Sequence, residues 1–136
     1  MITKAVLFVG GQYISSTEFY LRKLHETPFV AAADSGAETL KRLGIHPHLL
    51  VGDMDSVSGS TLSWCRSEGS LVLIYPPEKD DTDTQIALQA LEERGIAEVE
   101  IFGATGLRLD NFMGTLASIY GARNSLKATI VEDSVE

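Results

Sequence analysis

The sequence has few of the residues that form disulfides or bind soft metals. Cys65 is the single cysteine among 136 residues, and the three histidines form no cluster with it. A single cysteine excludes an internal disulfide and fits a reducing compartment, so we expect a cytoplasmic protein. Without a cluster of thiols and imidazoles, any metal site must be built from oxygen ligands, which select hard ions such as Mg²⁺.

Basic residues and long apolar runs are also scarce. Lysine and arginine total 11 against 19 aspartate and glutamate residues, which gives a net charge of −8. This balance argues against nucleic acid or an anionic membrane as a partner. The opening "MITKAVLFVGGQ" is too short for the core of a signal peptide, and no other run is long enough to span a bilayer. An anionic ligand would therefore need a cation beside it.

The remaining composition is that of one globular domain over residues 1–136. Hydrophobic residues make up 44% and charged residues 22%. Short apolar runs alternate with segments that carry helix start and stop signals. The predicted strands are Ala5–Val9, Phe29–Ala33, Leu49–Val51, Leu71–Tyr75, Val99–Phe102 and Ala128–Val131. This alternation predicts an α/β fold with a doubly wound, mostly parallel sheet of about six strands and helices on both faces, Rossmann-like in class.

Local signals place the helices between these strands. The tetrapeptides "SSTE", "SGAE" and "TDTQ", which begin at Ser15, Ser35 and Thr82, each fit a capping box. Two apolar helix faces are predicted at 3.6-residue spacing: Ile86, Ala87, Ala90 and Leu91, and Phe112, Met113, Leu116, Ala117 and Tyr120.

Acidic residues follow four of the six predicted strands. They are Asp34; Asp53 and Asp55 in "LLVGDMDS"; Asp80, Asp81 and Asp83 in "YPPEKDDTD"; and Asp110, which follows Arg108 in "GLRLD". In an open α/β sheet the carboxyl ends of the strands share one edge, where ligands bind. Crowded carboxylates repel one another unless a cation joins them, and Mg²⁺ is the natural choice for oxygen ligands.

These acids therefore suggest a metal–phosphate site. Asp53 and Asp55 would bind the metal at the switch point of the sheet, and the planar guanidinium of Arg108 would clamp a phosphate. The alternative is structural, because acids near helix starts also cap free N–H groups and complement the helix dipole. Asp34, Asp81 and Asp110 are each open to that interpretation.

Three motifs in order resemble the catalytic domain of thiamine pyrophosphokinases. They are "ADSGAETLKRLGIHPHLLVGDMDS", "PPEKDDTD" and "GATGLRLDN", and the resemblance extends from Gly10 to about Val131. It implies transfer of diphosphate from ATP to thiamine with release of AMP, dependence on Mg²⁺, and a homodimer. It also implies a C-terminal β-rich domain, which we expect to be absent from this chain.

The resemblance also implies roles for individual residues. Asp53 and Asp55 match the metal-binding acids of the family's "GDxDS" motif, and Asp83 is expected to join them at the metal. Lys79, Asp80, Thr82 and Asp83 match its "KDxTD" segment, which serves metal, nucleotide and thiamine. Arg108 and Asp110 match the segment at the nucleotide phosphates, and Asp34 matches "ADGGA". Asn111 stands where the family has histidine, and it cannot carry a proton at neutral pH.

Two other functions remain open at this stage. "DMDSV" also fits the start of haloacid-dehalogenase-type phosphatases, with Asp53 as the phosphorylated nucleophile, although that motif normally follows the first strand. The chain would otherwise be a nucleotide-binding half-enzyme with no activity alone.

Overall fold

The computed structural model describes residues 3–11, 13, 16–52, 57–74, 83–104, 113, 116, 119 and 126–131. The elements in chain order are β1 (Lys4–Phe8), α1 (Thr17–Glu26), β2 (Phe29–Ala33), α2 (Gly36–Leu43), β3 (Leu49–Gly52), α3 (Gly59–Ser67), β4 (Leu71–Ile74), α4 (Asp83–Glu93), β5 (Glu98–Phe102) and β6 (Lys127–Ile130). Each predicted strand is present, with bounds that differ by one residue at most in the described part of the chain. Among these helices, none is long and apolar enough to cross a membrane.

The six strands form one parallel sheet in the order β4-β3-β2-β1-β5-β6. Side chains of β1 alternate between two cores, as the pleat of a buried strand requires. Ala5 and Leu7 pack with α4 on one face. Val6 and Phe8 pack with α1, α2 and α3 on the other. The predicted doubly wound α/β fold is confirmed.

The strand order locates the topological switch point between β1 and β5. The chain steps outward from β1 to β4 and then crosses the sheet to place β5 on the other side of β1. The expectation that Asp53 and Asp55 follow a strand at the switch point is therefore wrong. They come after β3, which β2 separates from β1, because sequence motifs carry no information on strand order.

Helix starts differ in detail from the predicted capping boxes. The cap of α1 is Ser16, whose Oγ accepts from the Phe19 N–H at 3.1 Å, one residue later than predicted. Ser35 precedes α2 in a helical conformation, and its side chain makes no capping hydrogen bond. Thr82, predicted to start α4, lies outside the described residues.

The apolar face of α4 is confirmed, whereas the face predicted around Met113 is wrong in part. Ile86, Ala87 and Leu91 are buried in the core. Met113 and Leu116 are helical but 56% and 41% exposed, while Ile119 packs against the core. Apolar spacing alone did not fix which side of this helix faces the sheet. Phe112, Ala117 and Tyr120 lie outside the described residues.

Candidate functional site

The structure describes the strands and helices around the predicted site, namely β2, β3 and α4, more fully than the site's own side chains. Asp34 is described, and Asp83 is the first residue of α4 by its backbone. The other predicted site residues, with the neighbouring Asp81 and Asn111, lie outside the described residues: Asp53, Asp55, Lys79, Asp80, Thr82, Arg108 and Asp110. Within the described ranges no three residues of the metal-binding types form a cluster. The metal assignment to Asp53, Asp55 and Asp83 remains a prediction.

Strands β2 and β3 and helix α4 bring three chain segments together at the carboxyl edge of the sheet. Ala33 is paired with Val51 in the β2–β3 ladder, so Asp34 and Gly52 leave neighbouring strands side by side. Asp53 is bonded directly to Gly52. Helix α4 packs across β2 and β3 and runs back from the carboxyl edge, so it begins at that edge. The segments that carry Asp34, Asp53 and Asp83 therefore enter the same region.

Asp34 has an unusual backbone. Its φ of +49° is the one positive value at a non-glycine position in the described part of the chain. Aspartate tolerates the left-handed region better than most residues, yet the conformation still costs about 1 kcal/mol. Two hydrogen bonds hold it: its N–H donates to the Val51 carbonyl at 2.9 Å, and its own carbonyl accepts from the Ala37 N–H at 3.1 Å. Such strain concentrates at functional sites.

The Asp34 carboxylate points to the end of β3. A Cβ atom on Gly52 would lie 2.7 Å from Asp34 Cγ, so glycine at position 52 provides the space for this side chain. Asp34 Oδ1 is buried and has no hydrogen-bond partner among the described residues. Oδ1 therefore caps no helix N–H in that part of the chain.

A buried carboxylate oxygen without a partner is costly, and native proteins leave few of them. A cation or a donating ligand at the β2–β3 end would satisfy it. The atom that would bind the cation, Asp34 Oδ1, is an oxygen, and oxygen ligands fit a hard ion such as Mg²⁺.

Small residues bring the start of α2 against β1. A Cβ on Gly36 would lie 2.5 Å from the Phe8 carbonyl carbon and 3.1 Å from the Val9 nitrogen, so only glycine permits this approach. Glycine after a strand can let a ligand approach the backbone closely, and Gly10 follows β1. In the structure, a Cβ on Gly10 would overlap the Ser35 hydroxyl, so the β2–α2 turn occupies that space.

Glu38, in the first turn of α2, has a role that its local sequence does not reveal. Its Oε2 accepts from the Ser58 N–H at 2.7 Å, and its Oε1 accepts from the Thr61 hydroxyl at 2.7 Å. Burial raises the pKa of Glu38, but the hydrogen bonds from Ser58 and Thr61 and the charge of Lys41 outweigh it, so the pKa lies below its usual value. Glu38 therefore caps α3, the helix that follows Asp53 and Asp55.

One sequence signal pointed to this contact. Helix α3 has a Ser58 cap but no acidic residue in its first turn, so its N-terminus lacks a negative charge of its own. The capping-box interpretation assigned Glu38 to its own helix instead.

A different arrangement occupies the switch point between β1 and β5. The Tyr13 hydroxyl donates to the Val9 carbonyl and lies 3.1 Å from the Phe102 carbonyl. A Cβ on Gly103 would lie 2.6 Å from Tyr13 Cε1 and would overlap the phenol oxygen. The ring stacks on Phe8 with centroids 5.3 Å apart. Tyr13 thus fills space and satisfies carbonyls where open α/β sheets commonly bind ligands.

The phosphatase alternative does not match the order of elements. Its nucleophile normally follows the first strand, whereas Asp53 follows β3, the third strand in chain order.

Comparison with known proteins gives a consistent result. The family described as "Thiamin pyrophosphokinase, catalytic domain" matches residues 20–131. A thiamine pyrophosphokinase from Bacillus subtilis (strain 168) is 32% identical over 100 residues, which cover 73% of this chain and 47% of the relative. The chain therefore spans about half the length of that relative.

Two solved structures show the same fold. A thiamin pyrophosphokinase family protein from Enterococcus faecalis matches with a TM-score of 0.73 and 27% identity, over 93% of this chain and 61% of its own. A thiamin pyrophosphokinase from Geobacillus thermodenitrificans matches with a TM-score of 0.76 and 27% identity, over 95% of this chain and 59% of its own. From the family match, the curated relative and the shared fold, we conclude that this chain belongs to the thiamin pyrophosphokinase catalytic-domain family.

Proposed function

We propose that this protein catalyses the Mg²⁺-dependent transfer of diphosphate from ATP to thiamine, in the cytoplasm, at the β2–β3 end of the sheet. Membership of the family supports the reaction class. The observation that carries the location is the buried Asp34 Oδ1, which has no partner in the described part of the chain and lies beside the residue that precedes Asp53.

The proposed roles follow from residue chemistry. Asp53, Asp55 and Asp83 would hold Mg²⁺, which neutralises phosphate charge when bound. Asp34 and Asp110 would face the nucleotide or its metal, and Lys79 and Thr82 would donate to phosphate oxygens. Arg108 would bind the leaving phosphate with its planar fork.

The reaction itself needs positioning more than covalent chemistry from the protein. The thiamine hydroxyl oxygen attacks the β-phosphorus of ATP in line. The new O–P bond forms as the bond breaks between the β-phosphorus and the oxygen that bridges it to the α-phosphorus. AMP leaves with that oxygen. Either Asp80 or Asp83 would take the hydroxyl proton. Asn111 has no part in this proton transfer because an amide does not titrate at neutral pH.

Assembly is part of the proposal. We expect a homodimer, as the resemblance implies, and light scattering of the purified chain measures its mass directly. The thiamine site is also proposed for the whole protein, since this chain spans about half of the curated relative it matches.

The decisive experiment measures AMP and thiamine diphosphate with ATP, thiamine and Mg²⁺. We expect AMP formation that needs thiamine, stops with a chelator, and falls more than about 100-fold in Asp55→Asn, because a central charge contact is lost. Glu26→Gln, on the exposed end of α1, is the matched control for loss of one negative charge. Near-normal activity of Asp55→Asn would remove the metal assignment.

Two other outcomes identify the alternatives. Binding of ATP with Mg²⁺, followed by no thiamine-dependent AMP, would identify a half-enzyme. A trapped aspartyl-phosphate on Asp53 would identify a phosphatase.

A further inference from the structure

Both ends of the segment that carries Asp53 and Asp55 are held by a single short stretch of chain. The segment 53–56 lies between Gly52, at the end of β3, and Val57, which is buried. At the first end, Asp34 packs against Gly52. At the second end, Glu38 accepts a hydrogen bond from the Ser58 N–H at 2.7 Å. Residues 34–38 thus anchor both ends of the segment.

The contact at the second end is more than one hydrogen bond. Thr61 is fully buried, and its hydroxyl donates to Glu38 Oε1 at 2.7 Å. Ser58 Oγ lies 2.9 Å from Thr61 Oγ1 and accepts from the Thr61 N–H at 3.2 Å. The carboxylate therefore joins the first turns of α2 and α3 and receives two charge-assisted hydrogen bonds, the stronger kind.

Helix α2 does not use this carboxylate for its own N-terminus. Ser35 makes no side-chain capping bond, and the Glu38 oxygens reach to Ser58 and Thr61, 20 and 23 residues away in sequence. A capping-box glutamate would bond the N–H at the start of its own helix. The Glu38 carboxylate instead bonds Ser58 and Thr61, which follow segment 53–56 in the chain.

We propose that Glu38 is a positioning residue that holds the Ser58 end of segment 53–56 and so presents the Asp53 and Asp55 carboxylates to the metal. This inference rests on the proposed function. The physical reason is preorganisation, because carboxylates on a segment fixed at both ends lose less freedom when they bind a cation. Glu38 contacts neither metal nor substrate in this scheme and acts through Ser58.

The test compares Glu38→Gln with Thr61→Val and the control Glu26→Gln in the full chain. Glutamine keeps the shape but offers one acceptor oxygen and no charge, so one of the two donors loses its partner. Valine at position 61 keeps the buried volume and the Glu38 charge but removes one of the two hydrogen bonds. Glu26→Gln removes an equal charge from the exposed end of α1.

The principal measurement is Mn²⁺ affinity, by electron paramagnetic resonance in the presence of ATP, with no turnover required. We expect about tenfold weaker Mn²⁺ binding in Glu38→Gln, a smaller loss in Thr61→Val, and no change in Glu26→Gln, in line with the usual effect of partners that orient metal ligands. In the assay with thiamine, Glu38→Gln should need more Mg²⁺ for half-maximal rate and regain most of kcat at saturating Mg²⁺.

The outcomes separate this inference from the proposed function. If Asp55→Asn loses Mn²⁺ binding and Glu38→Gln retains the wild-type affinity while its melting temperature falls, Glu38 is only structural and the inference fails. If Asp55→Asn itself binds Mn²⁺ as the wild type does, the proposed metal site fails. Should Glu38→Gln not fold, Thr61→Val decides the question by the same measurement.

Discussion

Two parts of the same sheet edge are built in opposite ways. At the switch point, Tyr13 bonds the carbonyls that end β1 and β5 and packs over Gly103. At the β2–β3 end, Asp34 is held at a positive φ with a buried oxygen that has no partner in the described part of the chain. In the first region the carbonyls are bonded by the protein itself, and the second carries backbone strain and a buried carboxylate oxygen without a described partner.

This difference indicates where a ligand contributes most. A ligand at the switch point would have to displace Tyr13 and its hydrogen bonds. A cation beside Asp34 would instead satisfy an oxygen that has no hydrogen-bond partner among the described residues. Open α/β sheets commonly bind ligands at the switch point. In this chain the described geometry favours a site displaced by two strand positions, toward β2 and β3.

The largest expected effect is that of Asp34→Asn. Asparagine tolerates the left-handed backbone, so the turn should remain. The charge that would face the proposed metal–phosphate site is lost, and we expect a fall in kcat of about 100- to 1000-fold. Because the buried Oδ1 has no partner in the described part of the chain, the change should leave the melting temperature equal to or above that of the wild type. Activity assays and thermal unfolding check both parts, and a normal kcat would return the ligand site to the switch point.

The next effect compares two glycine-to-alanine changes. A methyl group on Gly52 would overlap the Asp34 carboxylate, so Gly52→Ala should lower the free energy of unfolding by about 1–3 kcal/mol and reduce activity by displacing Asp34. Gly59 begins α3, and a Cβ there meets nothing within 4 Å. Gly59→Ala should therefore be neutral or stabilise by up to about 1 kcal/mol. Denaturant titration measures both, and equal destabilisation by the two changes would contradict the close packing of Asp34 on Gly52.

The smallest effect is expected from Tyr13→Phe. Loss of the hydroxyl removes its bonds to the carbonyls of Val9 and Phe102, while the ring keeps its contact with Phe8. We expect a loss of about 1 kcal/mol in the free energy of unfolding and a kcat within about twofold of the wild type. A large rise in the KM for ATP with unchanged stability would instead place the nucleotide against Tyr13.

The sequence predicted the strands well because buried parallel strands are continuous apolar runs. It failed at the start of α2, where "SGAE" fits a capping box. Glu38 bonds Ser58 and Thr61 on another helix, and a local pattern contains no information on that neighbour. The face of the helix around Met113 was misassigned for a similar reason, since spacing gives a period but not a direction toward the sheet.

By itself the sequence determined the α/β class, the alternation of elements and the acidic segments at strand ends, because these depend on local periodicity and side-chain chemistry. Only the tertiary structure decided which strands are neighbours, and with that the pairing of Asp34 with Gly52 and the reach of Glu38 to α3. Strand order and contacts between helices are set by packing across long separations in the chain. For that reason the residues that hold the candidate site together became visible only in the fold.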